Sequence, residues 1–556
     1  DLEWHERAAM DEVQKKYREI EGVSAIIYIQ TCAAEKRRRR KRGNFPDPDR
    51  RVFINTDICE GCGDCGVQSN CVSIVPKDTE LGRKRAIDQS SCNKDFSCLK
   101  GFCPSFVTLE GALVKKEATT ELTLPDLPQP VLPTINGTHN IVITGVGGTG
   151  VVTIGAVLAQ AAQLDGKGAG MMEMAGLAQK GGAVHIHCRL ANEPNDISAI
   201  RVATGEAHAL IGGDLVVSAG AKTLGLTKTG QTGGVINNHE IITGDFTRDT
   251  EFTLPADRLE LALQARLKEN LSLFDASDLA KTTLGDSIFS NMMVFGGAWQ
   301  RGLIPLSLES IHEAIELNGA AVDRNKRAFE IGRWAVLYPE DVVGLQKTNV
   351  VELPKSLEER IAYRADHLVA YQGRRLAKRY RRMLENIENP ELKETVALGY
   401  HKLLSYKDEY EVARLLLSSG EKVAMEFEGD FRMTFHLAPP ILNGIGSDGR
   451  PKKRSFGPWL KQPLRVMAFF KGIRGTAIDP FGYSAERRME RALIKQYEAD
   501  VKTVLDDVTP DTLDVAVALA KLPLDVRGFG PVKSNNETKA AKRREELLAV
   551  FHQGPA

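Results

Sequence analysis

Between Asp57 and Pro104 the chain places seven of its nine cysteines: Cys59, Cys62, Cys65, Cys71, Cys92, Cys98 and Cys103. The first three are spaced C-x2-C-x2-C, and Cys103 is followed at once by Pro104. Cysteine runs that wrap iron–sulfur clusters read C-x2-C-x2-C-x3-C-P, and the fourth cysteine of each run ligates the other run's cluster. Applied here, that rule assigns one 4Fe-4S cluster to Cys59, Cys62, Cys65 and the distant Cys103. A second cluster takes Cys71, Cys92 and Cys98. Its fourth place falls on Asp95, because Cys92-Asn-Lys-Asp-Phe-Ser-Cys98 keeps the spacing and replaces the middle cysteine. Either a carboxylate completes that cluster, or the corner iron is labile and a 3Fe-4S cluster forms.

The stretch departs from the regular pattern in three places. Five residues separate Cys65 from Cys71, four separate Cys98 from Cys103, and Cys71 is followed by Val72 rather than proline. Zinc also uses C-x2-C pairs, but it takes four ligands per site, often with histidine; no histidine lies between Asp57 and Pro104. C-x2-C-x2-C is too tight for disulfides, and no signal peptide is visible. Buried structural thiols would not recur at metal-ligand spacing. Iron–sulfur ligation is therefore the expectation, with zinc as the competing metal.

At 556 residues the chain is expected to hold several domains, since single cores rarely grow past about 250–300 residues. Lys+Arg and Asp+Glu both total 73, so net charge gives no sign of a nucleic-acid partner or an anionic membrane. No apolar run reaches the roughly 18 residues of a membrane span. With thiolate ligands, a cytoplasmic location is expected. The sequence opens Asp-Leu-Glu-Trp, without Met or a targeting pattern, which suggests a fragment or a processed piece.

Met10, Val13, Tyr17 and Ile20 recur at helical spacing, and Gly22 ends that helix. Val23 to Gln30 is an apolar run that reads as a buried strand, and Cys32 beyond it as a buried reduced thiol. One helix and one strand are expected to be the end of an α/β domain whose body lies outside the sequence. Lys36 to Arg42 is an unbroken run of seven basic residues. Without aromatic interleaving it reads as a solvated linker on an acidic surface or near cofactor phosphates. The prolines at 125, 128, 130 and 133 mark an extended spacer.

His139 to Thr144 reads as a strand, Val151 to Leu164 as a helix, and Gly145-Val-Gly-Gly-Thr-Gly150 joins them. This is G-x-G-x-x-G in its strand–turn–helix setting, so Gly145, Gly147, Gly148 and Gly150 are candidate cofactor-binding residues. Glu173 falls where an acidic residue would reach a ribose. Glycine-rich first turns also serve only to pack helix on strand, so the motif speaks for the fold more than for a ligand. Glu173, Gln179 and Lys180, beside the Gly181-Gly182 pair, are the catalytic candidates. His185 and His187 share one side of a strand, where packing is commoner than metal binding. Leu215 to Ala219 and Gly233 to Asn237 read as strands; Leu259 to Asn270, Ser290 to Arg301 and Leu308 to Leu317 read as helices. From Glu358 helical patterns dominate, with Arg364, Arg374, Arg375, Lys378, Arg379, Arg381 and Arg382 on one helix. His367 and His401 there are lone histidines, expected to be structural.

Four segments occur in a telling order: Tyr28 to Gly43 with its basic run, Cys59-Glu-Gly-Cys-Gly-Asp-Cys65, Cys92 to Pro104, and Arg474-Gly-Thr-Ala-Ile-Asp-Pro-Phe-Gly-Tyr483. So arranged, the chain resembles the C-terminal half of the fused bacterial indolepyruvate ferredoxin oxidoreductases, of the 2-oxoacid:ferredoxin oxidoreductase superfamily. The resemblance spans essentially the whole chain. It implies a multidomain α/β plus α+β protein. Residues 1–45 would end a thiamine-diphosphate-binding domain and include the basic linker. Residues 50–115 would be a ferredoxin-like two-cluster insert, and 116–137 a proline-rich linker. Residues 138–345 would be a Rossmann-like gamma-type catalytic domain, and 346–556 a mainly helical domain of unclear role.

By that resemblance an aryl 2-oxo acid such as indolepyruvate is decarboxylated on thiamine diphosphate. The carbanion equivalent gives its electrons singly to the clusters, coenzyme A takes the acyl group, and an external ferredoxin is the acceptor. A homo-oligomer is expected. Thiamine diphosphate and Mg2+ are assigned to an N-terminal half, because no Gly-Asp-Gly followed by Asn at the holding distance is present; Gly213-Asp214 and Gly244-Asp245 lack that context. The chain alone is therefore expected to be inactive. Two other readings stand beside this one: an NAD(P)- or flavin-linked iron–sulfur electron-transfer subunit using Gly145 to Gly150, and a non-catalytic iron–sulfur scaffold.

Overall fold

The computed structural model describes residues 3–115, 119–175, 182–241, 244–247, 249–347, 356–439, 444 and 450–553. The chain divides into two compact units, residues 1–48 and 49–556.

In the first unit, the helix Met10–Arg18 buries only Val13. The expected strand at 23–30 does not form: Val23, Ile27 and Ile29 are largely exposed and the stretch is extended without a partner strand among the described residues. A strand is stable only when its backbone groups are paired, which apolar composition alone cannot supply. Cys32 is exposed rather than buried. The basic run is not an open linker either. It forms the helix Ala33–Lys41, where Arg39 donates to Glu35 at 3.0 Å and Arg40 lies over the Phe45 ring at 5.5 Å.

The second unit holds an α/β domain around a six-stranded sheet. Thr138–Val146 is its central strand, and Ala209–Gly212, Gly233–Asn237 and Leu271–Phe274 follow in parallel on one side. On the other side Ala183–Ala191 and Gly168–Ala175 each run antiparallel to their neighbour. The Rossmann-like expectation therefore holds for one half of the sheet only. The expected strand at 215–219 is the short helix Leu215–Ser218, and the strand lies just before it. Asp214 turns the chain there: its side chain accepts from the Val217 N–H and caps the helix. Helices Ser290–Gln300 and Val322–Leu337 cross beneath the sheet, the first buried at every residue.

The proline-rich segment is laid down along this domain. Leu122, Leu124 and Leu127 pack on its core, and the Gln300 amide donates to the Pro128 carbonyl at 2.9 Å.

The cysteine segment and the region after 356 share a sheet and a core. Arg51–Ile54, Phe106–Glu110, Arg432–Leu437 and Arg454–Phe456 form one antiparallel sheet in that order. Phe106, Val107, Thr108 and Leu109 are all buried, so this strand needs cover on both faces. Val107 and Leu109 join Ala413, Leu416, Phe427 and Phe435 in one cluster. Asn55 ties the parts together: its amide donates to the Leu415 carbonyl at 2.9 Å and to Ser419 Oγ at 2.8 Å. The segments expected as separate domains at 50–115 and 346–556 thus share one sheet and one core. The C-terminal region also carries strands beside its helical bundle. Its basic helix is two helices, Leu357–Tyr371 and Arg374–Leu384, broken where Gly373 adopts φ +134°.

Candidate metal centres

The first cysteine loop follows the strand Arg51–Ile54, where the Cys59 N–H donates to the Asn55 carbonyl at 3.0 Å. Gly61 and Gly63 take left-handed backbone (φ +68° and +77°) between the ligand candidates. A Cβ at Gly61 would lie 2.4 Å from the Arg83 carbonyl oxygen, and at Gly63 2.2 Å from Thr250 Cγ2. Only glycine fits there. The helix Asp64–Ser69 starts on this turn and carries Cys65. Gly101 then brings the second loop against Cys65, with its Cβ direction only 2.9 Å from Cys65 Cα. Asp64 Oδ2 accepts from the Phe102 N–H at 2.6 Å, which locks the two loops together.

The result is that Cys59, Cys62, Cys65 and Cys103 line one small cavity, with Arg85, Asp64 and Phe106 beside them. Burial pushes the Cys62 thiol up to about 12, and nearby Cys103 adds to it. Burial likewise raises Cys65, then Cys59, Cys103 and Cys62 in turn. Cys59 and Cys65 are buried and Cys62 and Cys103 half-buried, and four sulfurs gathered on one cavity suit a cationic iron–sulfur core that neutralises their charge. Gly61 N–H lies 3.4 Å from Cys59 Sγ, the kind of amide–sulfur contact that such thiolates accept.

Cys71, Cys92, Cys98 and Asp95 form a second neighbourhood. Burial pushes Cys98 up to about 12, followed by the charges of Cys92, Cys71 and Asp95. The Lys94 N–H is 3.4 Å from Cys92 Sγ. Lys94 and Phe96 both take left-handed backbone (φ +51° and +61°), so Asp95 sits at the apex of a sharply folded loop. Asp95 is exposed, and its Oδ1 accepts from Ser97 Oγ at 2.8 Å and Ser97 N–H at 3.1 Å. Among the described residues no three His, Cys, Asp or Glu side chains gather tightly enough to hold a single metal ion.

The glycine turn is a second site candidate. Gly148 and Gly150 have φ of +106° and +80°. Its donors are largely spent on the protein itself. The Gly147 N–H donates to the Gly182 carbonyl at 2.7 Å, and the Val146 N–H to Asp214 Oδ2 at 2.5 Å. Asn291 fills the space beside Gly150 and donates to its carbonyl at 3.1 Å. The buried Asp214 carboxyl thus holds the Val146 N–H of this turn. Glu173 is exposed on the edge strand, separated from the glycine strand by Ala183–Ala191, so it is not on the adjacent parallel strand that a dinucleotide crevice uses. Gln179 and Lys180 lie outside the described residues.

The histidine candidates are hydrogen-bonded within the fold. His185 Nε2 lies 3.1 Å from Thr223 Oγ1, and His187 Nδ1 accepts from the Val202 N–H at 2.9 Å. His367 and His401 bond each other at 3.1 Å. Sequence reading missed the groups that come from far along the chain. Asp214 supports the glycine turn, and Lys407, Arg450 and Lys453 reach the cysteine loops. Asp214 carried a faint signal as part of a Gly-Asp pair; the three cations carried none.

Residues 140–335, the α/β domain, match the sequence model of the pyruvate ferredoxin/flavodoxin oxidoreductase family. The α/β domain is thus similar to the 2-oxoacid:ferredoxin oxidoreductases. Residues 357–546 match a family of unknown function, DUF6537. Similar proteins include the indolepyruvate oxidoreductase subunit IorB of Archaeoglobus fulgidus, 28% identical over 195 residues, which are 35% of this chain and 92% of the relative. The IorB subunit of Pyrococcus horikoshii is 29% identical over 197 residues, 35% of this chain and 94% of its own length. Among solved structures, the gamma subunit of a keto/oxoacid ferredoxin oxidoreductase from Geobacter sulfurreducens covers 36% of this chain and 98% of its own, at 22% identity and a TM-score of 0.26. The chain thus joins a domain that matches this family to a cysteine segment and a third region. No helix among the described residues is long and apolar enough to cross a membrane.

Proposed function

We propose that this chain is the electron-relay and gamma-type portion of an indolepyruvate-type 2-oxoacid:ferredoxin oxidoreductase, equivalent to the C-terminal part of the fused form. The overall reaction is 2-oxo acid plus coenzyme A plus two oxidised ferredoxins, giving acyl-CoA, carbon dioxide, a proton and two reduced ferredoxins. Thiamine diphosphate and Mg2+ belong to an N-terminal half, on the same gene product or a separate chain. The observation that carries this reading is the gathering of the seven cysteines into two groups within the body that includes the family-matching α/β domain. Cys59, Cys62, Cys65 and Cys103 would hold the first 4Fe-4S cluster. Cys71, Cys92, Cys98 and Asp95 would hold the second. Such clusters can supply low-potential one-electron acceptors, reaching about −400 mV or below.

The chain's own residues give the two centres different surroundings. Cys59 and Cys65 are buried under the C-terminal region and the 249–252 loop, while Asp95 and Lys100 expose the second centre's side to solvent. The first centre thus suits the internal end of the relay, and the second the exit to ferredoxin. In this reading the glycine turn of 145–150 is scaffold. The test is reconstitution with the thiamine-binding half. Indolepyruvate and coenzyme A together should bleach the cluster absorption and reduce added ferredoxin. Turnover by this chain without the other half, or reduction driven by NADH in its place, would contradict the reading.

A further inference from the structure

Four cations of the region of unknown function, 357–546, reach the cysteine loops. Lys407 Nζ donates to the Ile58 carbonyl at 3.1 Å and the Cys59 carbonyl at 3.3 Å, and pairs with Glu60 Oε1 at 2.6 Å. Lys402 pairs with the other Glu60 oxygen. Lys453 Nζ donates to the Gly101 carbonyl at 2.8 Å and the Leu99 carbonyl at 3.0 Å, and sits 4.9 Å from the Phe106 ring centre. Arg450 pairs with both oxygens of Asp64 at 2.9 and 3.0 Å. These groups grip the backbone of the loops that carry Cys59, Cys65 and Cys103. Glu60 and Asp64 are thus paired with three cations of this region, and Lys453 bonds backbone carbonyls of the second loop.

The grip is not what a docked surface would need. Lys407 has only 12% of its side chain exposed, and Lys453 is half-buried over the Phe106 ring. Ammonium groups held this far from water are costly unless anions surround them. They become favourable when the sulfurs beside them carry an anionic cluster. Of these cations Lys453 also touches the second cysteine loop, through the Leu99 carbonyl beside Cys98.

We propose that the 357–546 region is the charge-setting frame of the Cys59/Cys62/Cys65/Cys103 centre, with Lys407 and Lys453 as positioning residues that favour its reduced form. This rests on the proposal that the cysteines hold iron–sulfur clusters. Reduction adds one negative charge to the cluster. A nearby buried cation stabilises that charge and raises the potential.

The test is a potentiometric EPR titration of the full chain carrying Lys407→Met or Lys453→Met. Removing Lys407 should lower the reduced-to-oxidised ratio of the first centre roughly tenfold at a fixed potential, about 59 mV for one electron, and leave the second centre unmoved. Lys453, which also faces Cys98, should move the first centre more than the second. The Arg variants should restore the original potential. Should a Met variant fail to assemble the first centre, assembly in the matching Arg variant supports the charge role; failure in both overturns it in favour of shape alone. Unmoved potentials with iron and sulfide present overturn the frame and leave the cluster proposal standing. Absence of iron and sulfide in the unaltered chain overturns the cluster proposal itself.

Discussion

Asp95 stands where a regular cluster motif has cysteine, and its loop is folded as tightly as the cysteine loops around it. The left-handed Lys94 and Phe96 on either side would not both persist unless the surroundings imposed them. Held there, the carboxylate is a harder and weaker iron ligand than thiolate. Asp95→Cys should therefore give a four-iron second centre that survives oxidation, while Asp95→Ala should give a three-iron signal in EPR. An unchanged EPR spectrum in the alanine variant would show that Asp95 is no ligand. A pH effect belongs to the same scale. His139 is brought down to about 4 by burial, its ring against the Leu303 carbonyl at 2.9 Å and stacked on His208 at 4.9 Å. Unfolded, it binds a proton near its ordinary 6.5, so between 6.5 and 4 the unfolded chain holds more protons. His139 should thus cost stability as pH falls through that window, up to about 3 kcal/mol at its lower end. His139→Gln should flatten the pH dependence of the α/β domain's melting temperature, and an unchanged slope would contradict this. At this scale the cysteines were legible, because ligation imposes spacing on neighbours in sequence. Asp214 and Lys407 were not, since their partners lie 68 and 348 residues away.

Helices Ser290–Gln300 and Val322–Leu337 show how elements are fixed. They approach so closely that a Cβ at Gly332 would lie 1.8 Å from the Met293 carbonyl oxygen, and one at Gly296 2.0 Å from that of Phe329. Each glycine makes room for the other helix's backbone. Gly332→Ala should therefore cost about 1–3 kcal/mol or more, seen as a lower melting temperature of the α/β domain. An alanine variant as stable as the parent would contradict the crossing. The C-terminal motif around Arg474 is fixed by charge instead. Arg474 is buried, paired with Asp408 at 2.5 and 2.9 Å, and stacked 3.7 Å from the Tyr371 ring centre. Arg474→Met strands the Asp408 carboxylate and should cost about 3–5 kcal/mol. Urea unfolding would read this, and Asp408→Asn in the same background should recover part of the loss. Helices with long periodic faces were legible here. The run 23–30 misled because composition without a pairing partner does not make a strand.

For the molecule as a whole, the decisive feature is how the second unit is joined. Strand Phe106–Glu110 pairs with Arg432–Leu437, more than 300 residues on, and no local pattern announces such a pairing. The order of segments was legible, but not that the last region builds half the housing of the cysteine loops. The strands Arg432–Leu437 and Arg454–Phe456 are short, and their faces are completed by the cysteine segment. The central claim is that two separate cysteine groups each hold a cluster. It is tested most directly by measuring iron and acid-labile sulfide in the anaerobically purified chain and counting spins after dithionite reduction. The account predicts seven to eight irons with eight sulfides, for one 4Fe-4S centre and one 3Fe-4S or 4Fe-4S centre, and two distinct EPR signals across the oxidised and reduced states. Zinc without sulfide, or a single signal, would contradict it.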